Sequence, residues 1–264
     1  MISKLAAPRD LFAGTAERYL RYRSRYPDAA LDEIARASRA LGGRVLDLGS
    51  GPGTVAIALA ERGLDVIAVD PNPDMLVAGS RDAERRGVRL EWVEGDSEHL
   101  PDVTDVATVT IGDAFHWMAP HDEFLQALDR IVDPAGLLAV LTRRAPGAPR
   151  PTWHSTIAEV QARYLDDDPQ AAAHGYRATV DADTISVVKR SPFSRIRELR
   201  FPHTTTATID EVVGRQYTRA FTSPAVLGDR LPAFDRALRV ALEAAEPSGA
   251  YLDTTEAQLL LAGR

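Results

Sequence analysis

Cysteine is absent from the 264 residues, which excludes disulfides, thiolate nucleophiles and Cys-based metal sites. Lysine is nearly absent as well, with 2 residues against 29 arginines, a bias that points to a GC-rich genome rather than to a ligand. No apolar run is long enough to span a bilayer, and Met1-Ile2-Ser3-Lys4 leads into no signal-peptide core. A cytoplasmic chain with no membrane partner is therefore expected. Excess positive charge is also missing: a net charge of −7 leaves no electrostatic footprint for nucleic acid. Neither a phosphate-cradling Gly-x-x-x-x-Gly-Lys nor a Gly-x-Ser-x-Gly elbow occurs. His154, His174 and His203 are scattered without metal-ligand spacing, and Asp166-Asp167-Asp168 before Pro169 reads as a loop that ends a helix, so no metal is expected. No internal repeat is visible.

What the chain does have is an ordinary apolar fraction of 45%, enough for a packed core, and a length that suits one domain with an elaborated cap or at most two small units. Its most informative stretch is Val45-Leu46-Asp47-Leu48-Gly49-Ser50-Gly51-Pro52-Gly53-Thr54. Apolar residues build a buried strand, three glycines allow a tight turn on which a ligand can lie against bare backbone, and Thr54 is placed to cap a helix over 55–62. A dinucleotide fold wants Gly-x-Gly-x-x-Gly so that a pyrophosphate rests on the helix N-terminus. Here the spacing is Gly-x-Gly-x-Gly, and Asp47 inside the strand would repel a pyrophosphate but favour a cationic amino-acid ligand.

Strands and helices alternate through the first 150 residues, which predicts a parallel α/β sheet. A helix from Pro27 to about Ala40 stops at Gly42-Gly43. A second strand over 65–69 ends at Asp70, followed by Asn72 as a helix cap and Pro73 in the first turn. A third strand over 89–93 ends in Glu94-Gly95-Asp96, and a fourth over 106–111 ends in Gly112-Asp113-Ala114-Phe115-His116-Trp117. A helix over 120–132, a turn at Asp133-Pro134-Ala135-Gly136 and a fifth strand over 137–142 follow. Beyond the proline-rich 145–151 come a helix over 153–165, a strand near 196–201, helices near 209–220 and 224–245, and a last strand over 257–262.

Asp70, 21 residues after Gly49, stands where a strand-end carboxylate can accept ribose hydroxyls, with Pro71 beside it. Met75, one turn into the next helix, fits either an adenine face or the core. Asp113 and His116 beside Phe115 and Trp117 suggest a shaped pocket wall. His116 reads either as a general base or as a loop-holding hydrogen-bond group.

The glycine stretch resembles motif I of the class I S-adenosylmethionine-dependent methyltransferases. Gly95-Asp96-Ser97-Glu98-His99-Leu100-Pro101 resembles that family's Gly-Asp-x-x-x-Leu-Pro, and Ala114-Phe115-His116-Trp117 resembles a signature of its trans-aconitate methyltransferase-like subgroup. Tyr19-x-x-Tyr22-Arg23-Ser24-Arg25-Tyr26-Pro27 matches the subgroup's Arg-Pro-x-Tyr-Pro in part, with Ser24 in place of proline. The resemblance covers roughly residues 15–143. It implies a Rossmann-like seven-stranded sheet, mostly parallel with an antiparallel last strand, flanked by helices and carrying a helical substrate cap. It further implies one domain over 1–264, made of an N-terminal lid (1–43), a cofactor half (44–144), a cap with strand six (145–250) and a final strand (251–264).

By the same resemblance the cofactor is S-adenosyl-L-methionine. Asp47, Gly49, Ser50 and Gly51 with Asp113 and Ala114 receive its methionine portion, Asp70 the ribose, and Asp96 and Ser97 the adenine, with Pro71 and Met75 also on the cofactor's side. Tyr19 and Arg23 belong to the segment that folds over it in the family, Arg23 toward the methionine carboxylate and a Tyr toward the sulfonium; a plain solvated helix is the other reading. The implied activity is methyl transfer to a small molecule, such as a secondary metabolite or carboxylic acid, by a monomer or homodimer. Trp117, Trp153, Tyr164, Tyr176, Phe193, Tyr217 and Phe221 are candidates for an apolar acceptor cavity or for cap core. A methyltransferase fold turned to another reaction such as a cyclisation, and a non-catalytic cofactor-binding protein, are the other readings.

Overall fold

Near-continuous apolar runs in the central strands Arg44–Leu48, Asp65–Asp70 and Val106–Gly112 build a sheet whose middle is buried on both faces. A computed structural model describes residues 12, 14–148, 150–165 and 183–264; Asp166 to Pro169, His174 and Tyr176, singled out above, lie outside the described residues. In chain order the elements are α1 (Ala16–Tyr22), α2 (Asp28–Ala40), β1 (Arg44–Leu48), α3 (Thr54–Glu61), β2 (Asp65–Asp70), α4 (Pro73–Arg85), β3 (Glu91–Glu94), β4 (Val106–Gly112), a 3₁₀ turn (Phe115–Trp117), α5 (His121–Asp129) and β5 (Val132–Thr142). They continue as α6 (Trp153–Tyr164), α7 (Thr184–Lys189), β6 (Arg195–Ala207), α8 (Ile209–Gln216), α9 (Pro224–Leu227), a 3₁₀ turn (Gly228–Arg230), α10 (Leu231–Ala245) and β7 (Tyr251–Gly263).

The seven strands form one sheet in the order β3-β2-β1-β4-β5-β7-β6. β1 pairs in parallel with β2 and β4, β2 with β3, and β4 with β5, whereas β7 runs antiparallel to β5. Leu46, Leu48, Ile67, Val69, Leu138, Val140, Leu260 and Ala262 pack into one apolar cluster, while Val45, Val66, Ala68, Ala139, Leu141, Leu259 and Leu261 pack into a second. The period of two thus supplies both faces, as a parallel sheet covered by helices requires.

The chain divides into two compact units. The sheet unit comprises 25–145, 178–201 and 256–264, and the other unit comprises 1–24, 146–177 and 202–255. The second unit has its own core, in which Trp153, Ile157, Val160, Val213, Phe234, Leu238 and Tyr251 meet, and the Trp153 Nε1–H donates to the Leu252 carbonyl at 3.1 Å.

Several predicted boundaries shift for identifiable reasons. The turn expected at 133–136 is absorbed into β5 as an irregularity: Val106 pairs with Val132 and Thr108 with Leu137, so two steps on β4 face five on β5. The helix expected over 224–245 is broken where Gly228 takes φ +51. The helix expected over 209–220 ends at Gln216, where the Thr218 and Thr222 hydroxyls donate to the carbonyls of Arg215 and Gln216. Asn72 caps α4 as predicted, its side chain accepting from the N–H groups of Asp74 and Met75, with Pro73 next in line.

Candidate active site

Because β1 to β4 are parallel neighbours, their carboxyl ends share one edge of the sheet. The spatial order β3-β2-β1-β4 sets Asp96, Asp70, the glycine turn and the 112–117 segment side by side along it.

The glycines of the turn do different jobs. A Cβ on Gly49 (φ +64) would stand 2.6 Å from the Ala114 Cβ and 3.3 Å from the Met118 Cε, so packing demands its absence. A Cβ on Gly53 would likewise stand 2.5 Å from the Trp92 ring. A Cβ on Gly51 (φ +55) would meet nothing within 4 Å, so of the three it is Gly51 that offers bare backbone to a ligand. Ser50 locks the turn: its N–H donates to the Val69 carbonyl at 3.0 Å, and its own carbonyl accepts from Gly53 N–H at 3.0 Å.

Asp70 ties the turn to the end of β2. Its Oδ2 accepts from Gly51 N–H at 2.7 Å and its Oδ1 from Asn72 N–H at 2.9 Å. Burial raises its pKa against the pull of these two donors. Each carboxylate oxygen retains a second acceptor site, so capacity for hydroxyl donors remains.

Asp47 lies below the turn, 1% exposed. Its Oδ1 accepts from the Thr110 hydroxyl at 2.7 Å and its Oδ2 from Ala56 N–H at 3.1 Å. Ala56 is the third residue of α3, so Asp47 supplies the cap assigned above to Thr54, which is itself the first helical residue. Burial pushes the Asp47 carboxyl up to about 7, against its hydrogen bonds to Thr110 and Ala56 and with help from the nearby Asp70 charge.

At the end of β3, Asp96 is exposed, and its Oδ1 accepts from the N–H groups of Glu98 (2.9 Å) and His99 (2.7 Å). The His99 Nδ1 stands 3.0 Å from the same oxygen, and Oδ2 has no partner among the described residues. Partial burial raises the Asp96 pKa, but these groups outweigh it and hold the carboxyl below its ordinary value. Ser97 beside it is half-buried, as is Pro71 after β2, whereas Met75 is buried.

The 112–117 segment is held from two sides. Asp113 takes φ +50, unusual for a non-glycine residue, and both its oxygens are engaged by one partner. Oδ1 accepts from Arg143 N–H at 3.2 Å, and Oδ2 pairs with the Arg143 guanidinium, whose Cζ sits 4.0 Å above the Tyr26 ring. The Phe115 ring stacks on His121 at 4.6 Å, and the His121 Nε2 lies 3.1 Å from the Phe115 carbonyl. His116 stands between these anchors, partly exposed, with its ring centroid 5.2 Å from that of Trp117. Ala114 is buried against Gly49.

Arg143 and His121 were missed in the sequence. Arg143 follows directly on the fifth strand, so its place at the strand's carboxyl end was the available signal. Tyr19 and Arg23 belong to the second unit, where the Arg23 Cζ lies 5.2 Å from the Tyr19 ring centroid. Among the described residues no group of three or more metal-ligating side chains forms, and no helix is long and apolar enough to cross a membrane.

A family profile described as a methyltransferase domain matches residues 45–136, which begin in β1 and end within β5. The chain is 34% identical over 215 residues to an uncharacterized methyltransferase of Mycobacterium tuberculosis, covering 81% of this chain and 79% of that protein. The chain belongs to the class I S-adenosylmethionine-dependent methyltransferases.

Shorter similarities link this methyltransferase to a demethylmenaquinone methyltransferase of Thermus thermophilus (35% over 127 residues, 46% of this chain and 54% of that protein). A trans-aconitate 2-methyltransferase of Rhodopseudomonas palustris matches at 31% over 128 residues, 48% of each chain. The solved SAM-dependent methyltransferase of Thiobacillus denitrificans, in complex with S-adenosyl-L-homocysteine, shares its fold at TM-score 0.53 and 18% identity, covering 94% of this chain and 96% of that one.

Proposed function

We propose that this methyltransferase binds S-adenosylmethionine along the carboxyl edge of β1 to β4 and transfers its methyl group to a small-molecule acceptor. The observation that carries the reading is the Asp70 carboxylate bound to Gly51 N–H, beside a Gly51 face open to a ligand. The residues along the edge fit the cofactor's chemistry. Asp70 has acceptor sites to spare for ribose hydroxyls, Asp96 Oδ2 is available to an adenine amino group with Ser97 next in the chain, and Gly49 to Gly51 offer backbone to the methionine portion, while Pro71 and Met75 follow Asp70 along the same edge. Asp47 supports the turn from below, and Asp113 and Ala114 hold the far wall. When bound, the cofactor supplies an electrophilic methyl group on a sulfonium.

The chain's own contribution is to hold the acceptor in line at near-attack distance, for which a strong base is not obligatory. In this reading His116, partly exposed after the carboxyl end of β4, takes a proton from an acceptor hydroxyl as the new bond forms. A small acceptor is supported by the net charge of −7 and by relatives named for demethylmenaquinone and trans-aconitate. Calorimetry with S-adenosylmethionine and S-adenosylhomocysteine tests the reading: micromolar binding of both supports it, and binding of neither, or of NAD instead, overturns it. Detection of a methylated product together with S-adenosylhomocysteine then separates methyl transfer from cyclisation on the same fold.

A further inference from the structure

Tyr26 and Pro27 close the N-terminal motif, and the fold ties them to the carboxyl edge of the sheet. Pro27 precedes α2, and Tyr26, 4% exposed, packs into the apolar cluster that holds Ala30, Leu31, Val45 and Val55. Its ring takes the space that a side chain at the end of β4 would need. A Cβ on Gly112 would stand 2.9 Å from the Tyr26 Oη and 2.9 Å from the Val55 Cγ2, so only bare backbone lets the ring lie across the strand end. The Arg143 guanidinium sits on that ring, its Cζ 4.0 Å from the centroid. Tyr26, Gly112, Asp113 and Arg143 all belong to the sheet unit.

A guanidinium offers its flat face to an aromatic ring and its N–H donors, which lie in the plane, to a carboxylate. One arginine can therefore do both at once, and Arg143 does: its face rests on Tyr26 and its Nη1 pairs with Asp113 Oδ2. Two further bonds join Asp113 to the end of β5. Its N–H donates to the Leu141 carbonyl at 2.8 Å, and its Oδ1 accepts from Arg143 N–H at 3.2 Å. Together they hold a non-glycine residue at φ +50, a region that a Cβ makes sparse. That backbone turn sets the direction in which the chain leaves β4. The residues after it follow directly: the Ala114 carbonyl accepts from Trp117 N–H at 2.9 Å, and the Phe115 carbonyl from Met118 N–H at 3.0 Å. A long arginine side chain has many rotamers, and losing them opposes any fixed contact with Asp113. The Tyr26 ring, itself packed in the core, restricts that freedom from the guanidinium face.

We propose that Tyr26 is a positioning residue for the amino-acid portion of the cofactor, acting through Arg143 and Asp113. The ring orients the guanidinium, the guanidinium holds the carboxylate, and the carboxylate sets the course of the 112–117 segment. The stack stands on the geometry of these residues alone; its service to the cofactor rests on the function proposed above.

The chain has 3 tryptophans, so NMR of the whole ¹⁵N-labelled protein offers one indole N–H resonance for each, and Trp117→Phe identifies the one on the segment. Tyr26→Leu removes the ring face, and Arg143→Lys keeps the charge but removes the flat cation. Each should displace the Trp117 resonance while that of Trp153, in the second unit, stays in place. Tyr26→Phe keeps the ring and should leave Trp117 where it is. The double variant Tyr26→Leu with Arg143→Lys should displace Trp117 no further than the larger single change, because both act through one contact. If Tyr26→Leu fails to fold, Arg143→Lys and Tyr26→Phe still decide. An unmoved Trp117, displacements that add in the double variant, or Tyr26→Phe displacing Trp117 as far as Arg143→Lys does, overturns the stack.

Binding then separates positioning from general support of the fold. Calorimetry compares S-adenosylhomocysteine with methylthioadenosine, which shares the adenosine but lacks the amino-acid portion. Tyr26→Leu and Arg143→Lys should weaken S-adenosylhomocysteine by about tenfold and methylthioadenosine by less than about twofold, the effect of a segment no longer pre-organised. Tyr26→Phe should bind both as the parent does. Equal weakening of the two probes, or weakening of neither, overturns the positioning role. A parent that binds neither probe would sink the cofactor reading instead, and the Trp117 resonance would still decide whether the stack holds the segment.

Discussion

Gly51 N–H donates to the Asp70 carboxylate across 2.7 Å, joining the turn after β1 to the end of β2. One bond thus fixes both the backbone that a cofactor would touch and the acid that would take its ribose. Asp70→Ala should weaken S-adenosylhomocysteine binding by about 1–3 kcal/mol, because charge-assisted acceptors are lost and the turn is freed. Calorimetry measures this, and an unchanged affinity would refute the ribose role.

Gly51 and Gly49 should respond differently to alanine. Gly51→Ala places its methyl in open space and carries only the left-handed backbone cost of roughly 1–2 kcal/mol, so the protein stays folded while cofactor binding falls. Gly49→Ala drives a methyl into Ala114 and Met118 and adds overpacking of about 1–3 kcal/mol to the same backbone cost. Urea unfolding alongside calorimetry distinguishes them. Equal stability losses would show that the two positions are not separated by packing.

The Asp113–Arg143 pair is mostly buried, with side chains 19% and 13% exposed. Arg143→Leu leaves the Asp113 carboxylate without its guanidinium partner and should cost about 3 kcal/mol of stability. Adding Asp113→Asn removes the stranded charge and should recover a good part of the loss. A double mutant as unstable as the two single losses added together would mean that the residues do not act as a pair.

Asp47 makes stability depend on pH with a definite sign. Its folded pKa is raised from 3.8 to about 7, so between those values the folded chain keeps a proton that the unfolded chain has released. Its stabilising contribution is fully present below the unfolded value, declines as pH rises through the window, and is gone above the folded value. The slope is at most about 1.4 kcal/mol per pH unit. Asp47→Asn lacks this proton, so its stability relative to the parent should climb from pH 5 to pH 7 and then level off, as followed by urea unfolding. Parallel curves for variant and parent would contradict the buried carboxyl.

His116→Ala should lower turnover by about a hundredfold if the imidazole accepts the acceptor's proton, with cofactor affinity unchanged. Methyl transfer within a few-fold of the parent would return His116 to the role of a loop-holding group.

Much of the carboxyl edge of β1 to β4 was legible in the chain itself. The strand-turn-helix at 45–54, the acids at Asp70 and Asp96, and the Asn72-Pro73 helix start are local patterns whose meaning depends on the residues immediately around them. Their order along the sequence also foretold the parallel sheet. Less legible was the interior of the turn. Thr54 looked like the cap of α3, but Asp47, one strand away and buried beneath, takes that place by reaching Ala56. The turn expected at 133–136 kept its residues but merged into β5, because strand pairing with β4 continues on both sides of it.

The amino-acid sequence by itself determined the apolar runs that bury both sheet faces, the glycine turn and the succession of acid-bearing strand ends. Each follows from short-range periodicity and from the backbone preferences of glycine, proline and asparagine. Tertiary structure alone decided which partner each charge meets. Asp113 is taken up by Arg143, 30 residues on, because β4 and β5 are neighbours. Arg23 comes to Thr218 and Arg215, some 195 residues on, because Gly214 lets α8 close against Tyr22. Such pairings depend on which elements become neighbours, and that is settled only when the whole core packs.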